Sequence, residues 1–291
     1  MERTPQDLEK IAAYRATLGK YEKPSVTADI VAVRPAFGER LGSQWRENPK
    51  FALEMLLIRR GQWPYEGCWA LPGGFIQASK NETVEQGAER ELLEETGLRA
   101  RSLIPVGVFS EPDRDMRAWI ISNAFVSVHK RGEGNLVKGG DDAREAKWLR
   151  IENPVFCDGV FSIPFFDGGV RLFTLSGKYR DEDLGGGRVT AVADNPLAFD
   201  HGEIVASAFL RLLSFDLRKL VFFFLPAKFT LADYIGVYQY FTGNSIEPGN
   251  IPNFRRQLTE KKDPLLEVCE GEIEDLNGRG HAPARLYRRC R

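Results

Sequence analysis

Long apolar runs are missing from this chain. The longest, such as Leu220 to Pro226, are far too short to span a bilayer, so no membrane partner is expected. Paired cysteines are missing too: Cys68, Cys157, Cys269 and Cys290 stand far apart, with no CxxC and no nearby histidine cluster. That spacing argues against a zinc site or a disulfide framework. Net charge is almost absent, 40 Lys plus Arg balancing 41 Asp plus Glu for a formal −1, so no global positive field draws the chain to nucleic acid or an anionic membrane. Any nucleic-acid site has to be local. The first residues show no basic segment followed by an apolar one, so no secretory signal is expected and a cytoplasmic location is the default. What is present is 43% apolar, 28% charged and 11% aromatic residues over a length of 291, the composition of a globular protein with room for about two folded units.

Thr4, Pro5 and Asp7 to Glu9 read as a helix start, with a capping hydroxyl, a first-turn proline and acids at the positive dipole end. The helix is expected to end near Gly19. Ser25 to Val33 and Phe51 to Ile58 read as strands, with a polar loop over residues 35 to 50. Trp69 to Leu71 reads as a short strand delivered into a tight Pro72-Gly73-Gly74 turn. A helix over about Thr83 to Thr96 closes at Gly97, and strands follow at 102–109, 119–128 and 147–151. This is an α+β domain over residues 1–155. Residues 156–198, with two alternating strand-like pieces and the Gly185 to Gly187 run, read as a hairpin-containing connector. From Phe199 the pattern predicts three helices, at about 199–217, 230–241 and 250–260, then strands at Leu265 to Cys269 and Arg285 to Arg288. Three helices and a hairpin over 199–291 suggest a winged helix-turn-helix.

The most informative stretch is Arg90-Glu91-Leu92-Leu93-Glu94-Glu95-Thr96-Gly97-Leu98. On a helix Glu91 lies three residues from Glu94 and four from Glu95, so their carboxylates share a face. Like charges at those spacings repel, and a hard divalent cation held together with ligand phosphates removes the repulsion. Arg90 can orient one carboxylate, and Gly73 with Gly74 lets backbone amides approach an anionic ligand. A solvated acidic helix is the plainer alternative.

The whole string, from Gly74 through Glu82 to Leu98, resembles the Nudix box, with two more residues than usual between Gly74 and Glu82. The resemblance covers roughly residues 25–155 and implies a Nudix α/β/α sandwich. It implies Mg2+ or Mn2+ held by Glu91, Glu94 and Glu95, with Glu82 as a further ligand, and a metal-activated water attacking a nucleoside-linked diphosphate. Glu145 is then a candidate base, although an ordinary loop acid fits as well. The Glu111 to Arg117 loop resembles one that several ADP-ribose-binding Nudix proteins set beside the ligand. Arg114 or Arg117 can meet a phosphate bidentately there, with surface salt bridges as the alternative.

In the C-terminal third, Ile251, Phe254 and Leu258 repeat at helical spacing, while Asn253, Arg256 and Gln257 take the opposite face beside Arg255. These residue types reach phosphates and base edges in a major groove. Lys261 follows the helix, and Arg279, His281 and Arg285 belong to a small basic hairpin tip. From residue 251 onward there are nine Lys plus Arg against seven Asp plus Glu, so a protein-protein module also remains open. Phe199 to Ile204, Leu225 to Leu231, Asn253 to Arg256 and Gly280 to Tyr287 resemble the C-terminal domain of the Nudix-related transcriptional regulators. That resemblance implies a metabolite sensor, with an effector such as ADP-ribose and double-stranded operator DNA of NAD or sugar metabolism as partners, acting as a homodimer. The alternative is a working ADP-ribose pyrophosphatase whose second domain serves assembly. At the head of the first C-terminal helix, His201 is expected to be structural.

Overall fold

Apolar residues alternate along the first strand between two faces, and that alternation builds the molecule outward from its centre. The structure is a computed structural model describing residues 5–37, 51–134, 143–182, 186–260, 263–274 and 284–290. After helix α1 (Pro5–Thr17) come β1 (Ser25–Phe37), β2 (Phe51–Arg60), β3 (Trp69–Ala70), β4 (Gly73–Phe75), α2 (Val84–Thr96), β5 (Ile104–Phe109), β6 (Ile120–Val128) and β7 (Ala143–Ile151). Thr4 and residues 38–50 of the expected loop lie outside the described residues; Pro35 to Phe37 extend β1 instead of opening that loop.

Residues 156–198 are not a connector between domains. They form the rest of β8 (Val155–Cys157), then β9 (Val160–Asp167), β10 (Val170–Glu182) and β11 (Gly186–Ala193), and these continue the main sheet. Its order is β11-β10-β9-β7-β2-β1-β6-β5, with β3 on β2, β4 on β1 and β8 on β9. β1 and β6 run parallel, and the other strand pairs of this sheet are antiparallel.

One face of β1 and β2 sets Ala28, Ile30, Ala32 and Leu56 against Ala88 and Leu92 of α2. The other face buries Val31, Val33, Leu53, Met55 and Leu57. It is covered by α3 (His201–Leu213), which contributes Ile204, Val205, Ala208, Phe209 and Leu212 to the same core. The α/β/α sandwich is therefore completed by the first helix of the C-terminal third, which packs on β1, β5, β6 and β11. Burying a side chain of this size is worth roughly 1.5–3 kcal/mol. Docking α3 thus rivals the net stability of an ordinary domain, about 5–15 kcal/mol.

The C-terminal unit built on α3 has one helix more than the pattern predicts. α4 (Leu217–Phe224) precedes β12 (Phe229–Thr230), α5 (Leu231–Thr242) and α6 (Ile251–Thr259), and the wing is β13 (Leu266–Glu274) with β14 (Ala284–Arg289). The expected 199–217 helix stops at Leu213, capped by Ser214, and the additional helix begins beyond it at Leu217 behind Asp216, whose side chain accepts from the Arg218 amide. α4 to α6 with the wing make the winged helix-turn-helix. It is not separately cored: Phe51 of β2 meets Phe224 edge-on at 6.2 Å and Tyr240 at 5.1 Å, and the Tyr240 hydroxyl donates to Ile151 O at 3.2 Å.

Candidate ligand cleft and DNA face

The box helix is set by local chemistry. Thr83 Oγ1 accepts from the Gln86 amide at 3.2 Å while Gln86 Oε1 accepts from the Thr83 amide at 2.9 Å, a closed capping box. Gly97 ends the helix at φ 72°. Burial of Ala88 and Leu92 then fixes the rotation that turns the carboxylates outward.

The long loop before Glu82 is absorbed by a 3-10 turn at Ala78–Lys80 and a left-handed Asn81 at φ 55°. It returns Glu82 to α2, where Glu82 accepts from the Gln77 amide at 2.7 Å and from Arg90 Nε at 2.7 Å. Arg90, then Gln77, hold the Glu82 carboxyl down at about 2. Arg90 also donates to Glu91 at 2.6 Å, Glu94 at 2.9 Å and Phe75 O at 2.9 Å. One guanidinium thus gathers three carboxylates.

Gly73 and Gly74 do not make a turn; they lie in β4, with Gly73 opposite Asp29 and Gly74 opposite Ala28 of β1. The Gly73 amide donates to Glu95 Oε2 at 2.9 Å, so it orients a carboxylate. A Cβ on Gly74 would lie 2.5 Å from Glu91 Cδ. Glycine is needed here so that strand and carboxylate can touch.

Between β1, β4 and α2 opens a cleft of about 350 Å³, and Gly73, Gly74, Glu91, Glu95, Arg114 and Arg117 all line it. Glu91 and Glu95 form its acidic wall. Burial, with repulsion from Glu94 and Glu82, raises the Glu91 pKa against the pull of Arg90. Glu94 does not line the cleft; its side chain is 58% exposed and is held by Arg90. Among the described residues no group of three or more His, Cys, Asp or Glu gathers as a metal cage. Hard oxygens from two or three carboxylates still fit a divalent cation that keeps waters and shares ligand phosphates. Glu145 is in β7 rather than a loop, paired with Arg59, and does not line the cleft. Asp141 and Asp142 lie outside the described residues.

The opposite wall is basic and went unseen in the sequence as a wall. Arg60, Arg114 and Arg117 line it with Phe75, Phe199 and Trp63. Arg117 is held by Asp115 at 2.7 Å and lies over Phe75 and Phe199 at 5.6 and 5.5 Å. Arg114 makes no surface salt bridge: 4% exposed, it grips Asp200 bidentately at 2.7 and 2.5 Å and stands 3.6 Å from Asp29. Asp29 accepts from Ser122, and burial raises its pKa. His201 is buried beside it, with Nδ1 accepting from the Leu71 amide at 2.9 Å. The neutral ring carries its proton on Nε2, 3.7 Å from Asp29 Oδ1, and burial holds its pKa down to about 3. His201 is structural as expected, yet it also lines the cleft. The resemblance marked Phe199 to Ile204 without showing what Asp200 binds.

On α6, Phe254 packs against Tyr234 and Tyr238 and Leu258 is buried, leaving Asn253, Arg256 and Gln257 exposed and Arg255 half-buried. Arg256 donates to Asn253 Oδ1 at 3.2 Å. Arg285 is exposed on β14, whereas Lys261, Arg279 and His281 lie outside the described residues.

The pattern that defines the NUDIX domain matches residues 46–160. Over 100 residues the chain is 45% identical to an ADP-ribose pyrophosphatase of Methanocaldococcus jannaschii, covering 34% of this chain and 56% of that protein, so it spans little more than half of that relative. Over 276 residues it is 24% identical to the ADPR responsive transcriptional repressor NtrR of Acinetobacter baylyi, covering 94% of this chain and 87% of the repressor. Among solved structures, a MutT/nudix family protein from Enterococcus faecalis superposes with TM-score 0.63 at 25% identity, over 97% of this chain and 93% of that one. Shewanella oneidensis NrtR complexed with a 27mer DNA superposes with TM-score 0.54 at 23% identity, over 91% and 93%, and shares the fold.

Proposed function

We propose, from the premise that this chain belongs to the Nudix-related transcriptional regulators, that it is a cytoplasmic, metabolite-responsive DNA-binding regulator whose effector is ADP-ribose or a related nucleoside diphosphate. One observation carries the reading: a cleft with an acidic wall and a basic wall is closed by Phe199 and His201, which belong to the segment bearing the winged helix. Names borne by the relatives, an ADPR responsive repressor and an ADP-ribose pyrophosphatase, support ADP-ribose as the effector. A homodimer on a palindromic site fits a single reader per chain.

In the cleft, Arg114 and Arg117 meet the phosphates, and exposed Trp63 offers a flat face to a base. A divalent cation, Mg2+ or Mn2+, would be held by Glu91 and Glu95, with Glu94 next to them on α2, while Arg90 keeps Glu82 and Glu91 in place. When bound it neutralises diphosphate charge and lowers the pKa of a coordinated water. A second reading, hydrolysis of the effector, is favoured by the presence of Arg90, Glu91, Glu94 and Glu95 together. Glu145, the expected base, is in β7 and does not line the cleft.

Calorimetric titration of ADP-ribose with Mg2+, then chromatography of the sample for AMP and ribose 5-phosphate, separates the readings. Heat without products marks a sensor, heat with products an enzyme that also senses, and no heat sinks ADP-ribose as the effector. On the DNA side, Asn253→Ala and Arg256→Ala are each expected to weaken binding to the gene's own upstream region by roughly 1–3 kcal/mol. Gel shifts indistinguishable from wild type would remove α6 as the reading helix.

A further inference from the structure

Arg114 and Asp200 make an enclosed, bidentate ion pair beside the cleft, with side chains 4% and 16% exposed. The pair joins the loop after β5 to the residue that caps α3. Asp200 is tied into that helix, since its carbonyl accepts from the amides of Glu203 at 2.9 Å and Ile204 at 3.1 Å. The residue before it, Phe199, sits at φ 53°, a left-handed conformation that strains an aromatic residue. Asn195 Nδ2 donates to the Phe199 carbonyl at 2.8 Å, and the Arg60 guanidinium lies 4.9 Å over the Phe199 ring, so cleft and strand hold the bend in place.

A carboxylate and a phosphate present the same paired oxygens to a guanidinium. If Arg114 kept Asp200 while a diphosphate bound, the ligand would lie against Asp29, Asp115 and Asp200 with one guanidinium fewer to meet it. We infer that Asp200 stands in for the phosphate of the effector, and that a nucleoside diphosphate entering the cleft takes Arg114 from it. Released from Arg114, the Phe199-Asp200 bend relaxes and the first turn of α3 loosens at the end nearest the cleft. α3 leads directly through Ser214 to Asp216 into α4 of the reader, so the exchange biases the placement of the winged helix. The inference deepens the proposed effector site and rests on that reading for the ligand class only.

The test uses the full chain, with inorganic pyrophosphate and ADP-ribose as separate probes in Mg2+. Asp200→Asn keeps the shape and removes the competing charge, and is expected to bind pyrophosphate about tenfold more tightly than wild type, because the competent state no longer has to be freed from Asp200. Equal or weaker pyrophosphate binding, or none by either protein, overturns the exchange. In wild type, which does not depend on how the variant folds, pyrophosphate should speed hydrogen exchange at the Glu203 and Ile204 amides. Unchanged or slower exchange there also overturns it. If pyrophosphate shows the difference and ADP-ribose binds neither protein, the ADP-ribose reading falls and the exchange stands.

Discussion

Gly74→Ala is expected to weaken ADP-ribose binding roughly 10- to 100-fold, the usual cost of disturbing a group that orients a ligand-holding residue, while leaving the melting temperature nearly unchanged. The new Cβ would lie 2.5 Å from Glu91 Cδ and 2.6 Å from each carboxylate oxygen, and that flexible end swings aside at little cost to the fold. Gly73→Ala should do the reverse. Its Cβ would meet Ala28 O at 2.3 Å and Asp29 Cα at 2.9 Å, both backbone, so β4 has to part from β1. Overpacking of this kind costs about 1–3 kcal/mol or more. Thermal melts and calorimetry on both variants check the contrast; if Gly74→Ala melts early and binds normally, the glycine serves the sheet and not Glu91.

Acid should destabilise the protein steeply before any carboxylate reaches its ordinary range. His201 is held down to about 3 and His129 to about 4, both by burial. His129 packs against Trp148 at 6.1 Å, and neither of its ring nitrogens finds a hydrogen-bond partner among the described residues. In the unfolded chain both rings take up a proton near their ordinary value of about 6.5, so below that pH the unfolded state binds more protons and stability falls. Each ring contributes a slope of roughly 1.4 kcal/mol per pH unit down to its folded pKa. Asp29, Glu91 and Glu203, all raised by burial, oppose this, since they take up protons earlier in the folded state than in the unfolded one. Asp115 and Glu133, held low by Arg117 and by Lys130 with Arg101 against the cost of burial, add to the loss only at lower pH. The two histidines alone contribute a loss on the order of 5 kcal/mol between pH 6.5 and 4, which that opposition reduces, against a whole stability of about 5–15 kcal/mol for an ordinary domain. Urea unfolding at pH 7, 6 and 5 measures it, with His129→Phe expected to remove one proton from the slope. A midpoint that does not move between pH 7 and 5 would refute the assignment.

What the chain shows in sequence are its local devices. The box helix announces itself because its Thr83 cap, Gly97 stop and acidic spacing all lie within a few turns, and α6 is legible for the same reason. Leu217–Phe224 hides a helix because eight residues are too few for a period to show, and its outer face carries Phe223 beside Arg218 and Lys219 while Leu220, Val221 and Phe224 are buried. Gly73 and Gly74 read as a turn because their real role depends on Ala28, Asp29 and Glu91, distant in sequence and adjacent only once β1 and β4 pair. The strands of 160–193 alternate visibly, but alternation does not say which strand they pair with. Arg60, Asp29, Arg114 and Asp200 carry no spacing signal at all, so the basic wall exists only in the folded chain.

The helix that covers the second face of the sheet also fixes how this protein can be divided. A chain cut after residue 155 would keep every residue of the box and still lose β9 to β11 and α3, leaving Val31, Leu53, Met55 and Leu57 facing water. The sensing half has no complete existence of its own, and its gene cannot shed the reader without shedding part of the sensor. Signalling between the halves is therefore not the parting of two finished bodies: α3 lies in the frame of the sensor, and Phe224 and Tyr240 of the winged helix rest on Phe51 of the same sheet, as a door is mortised into its frame.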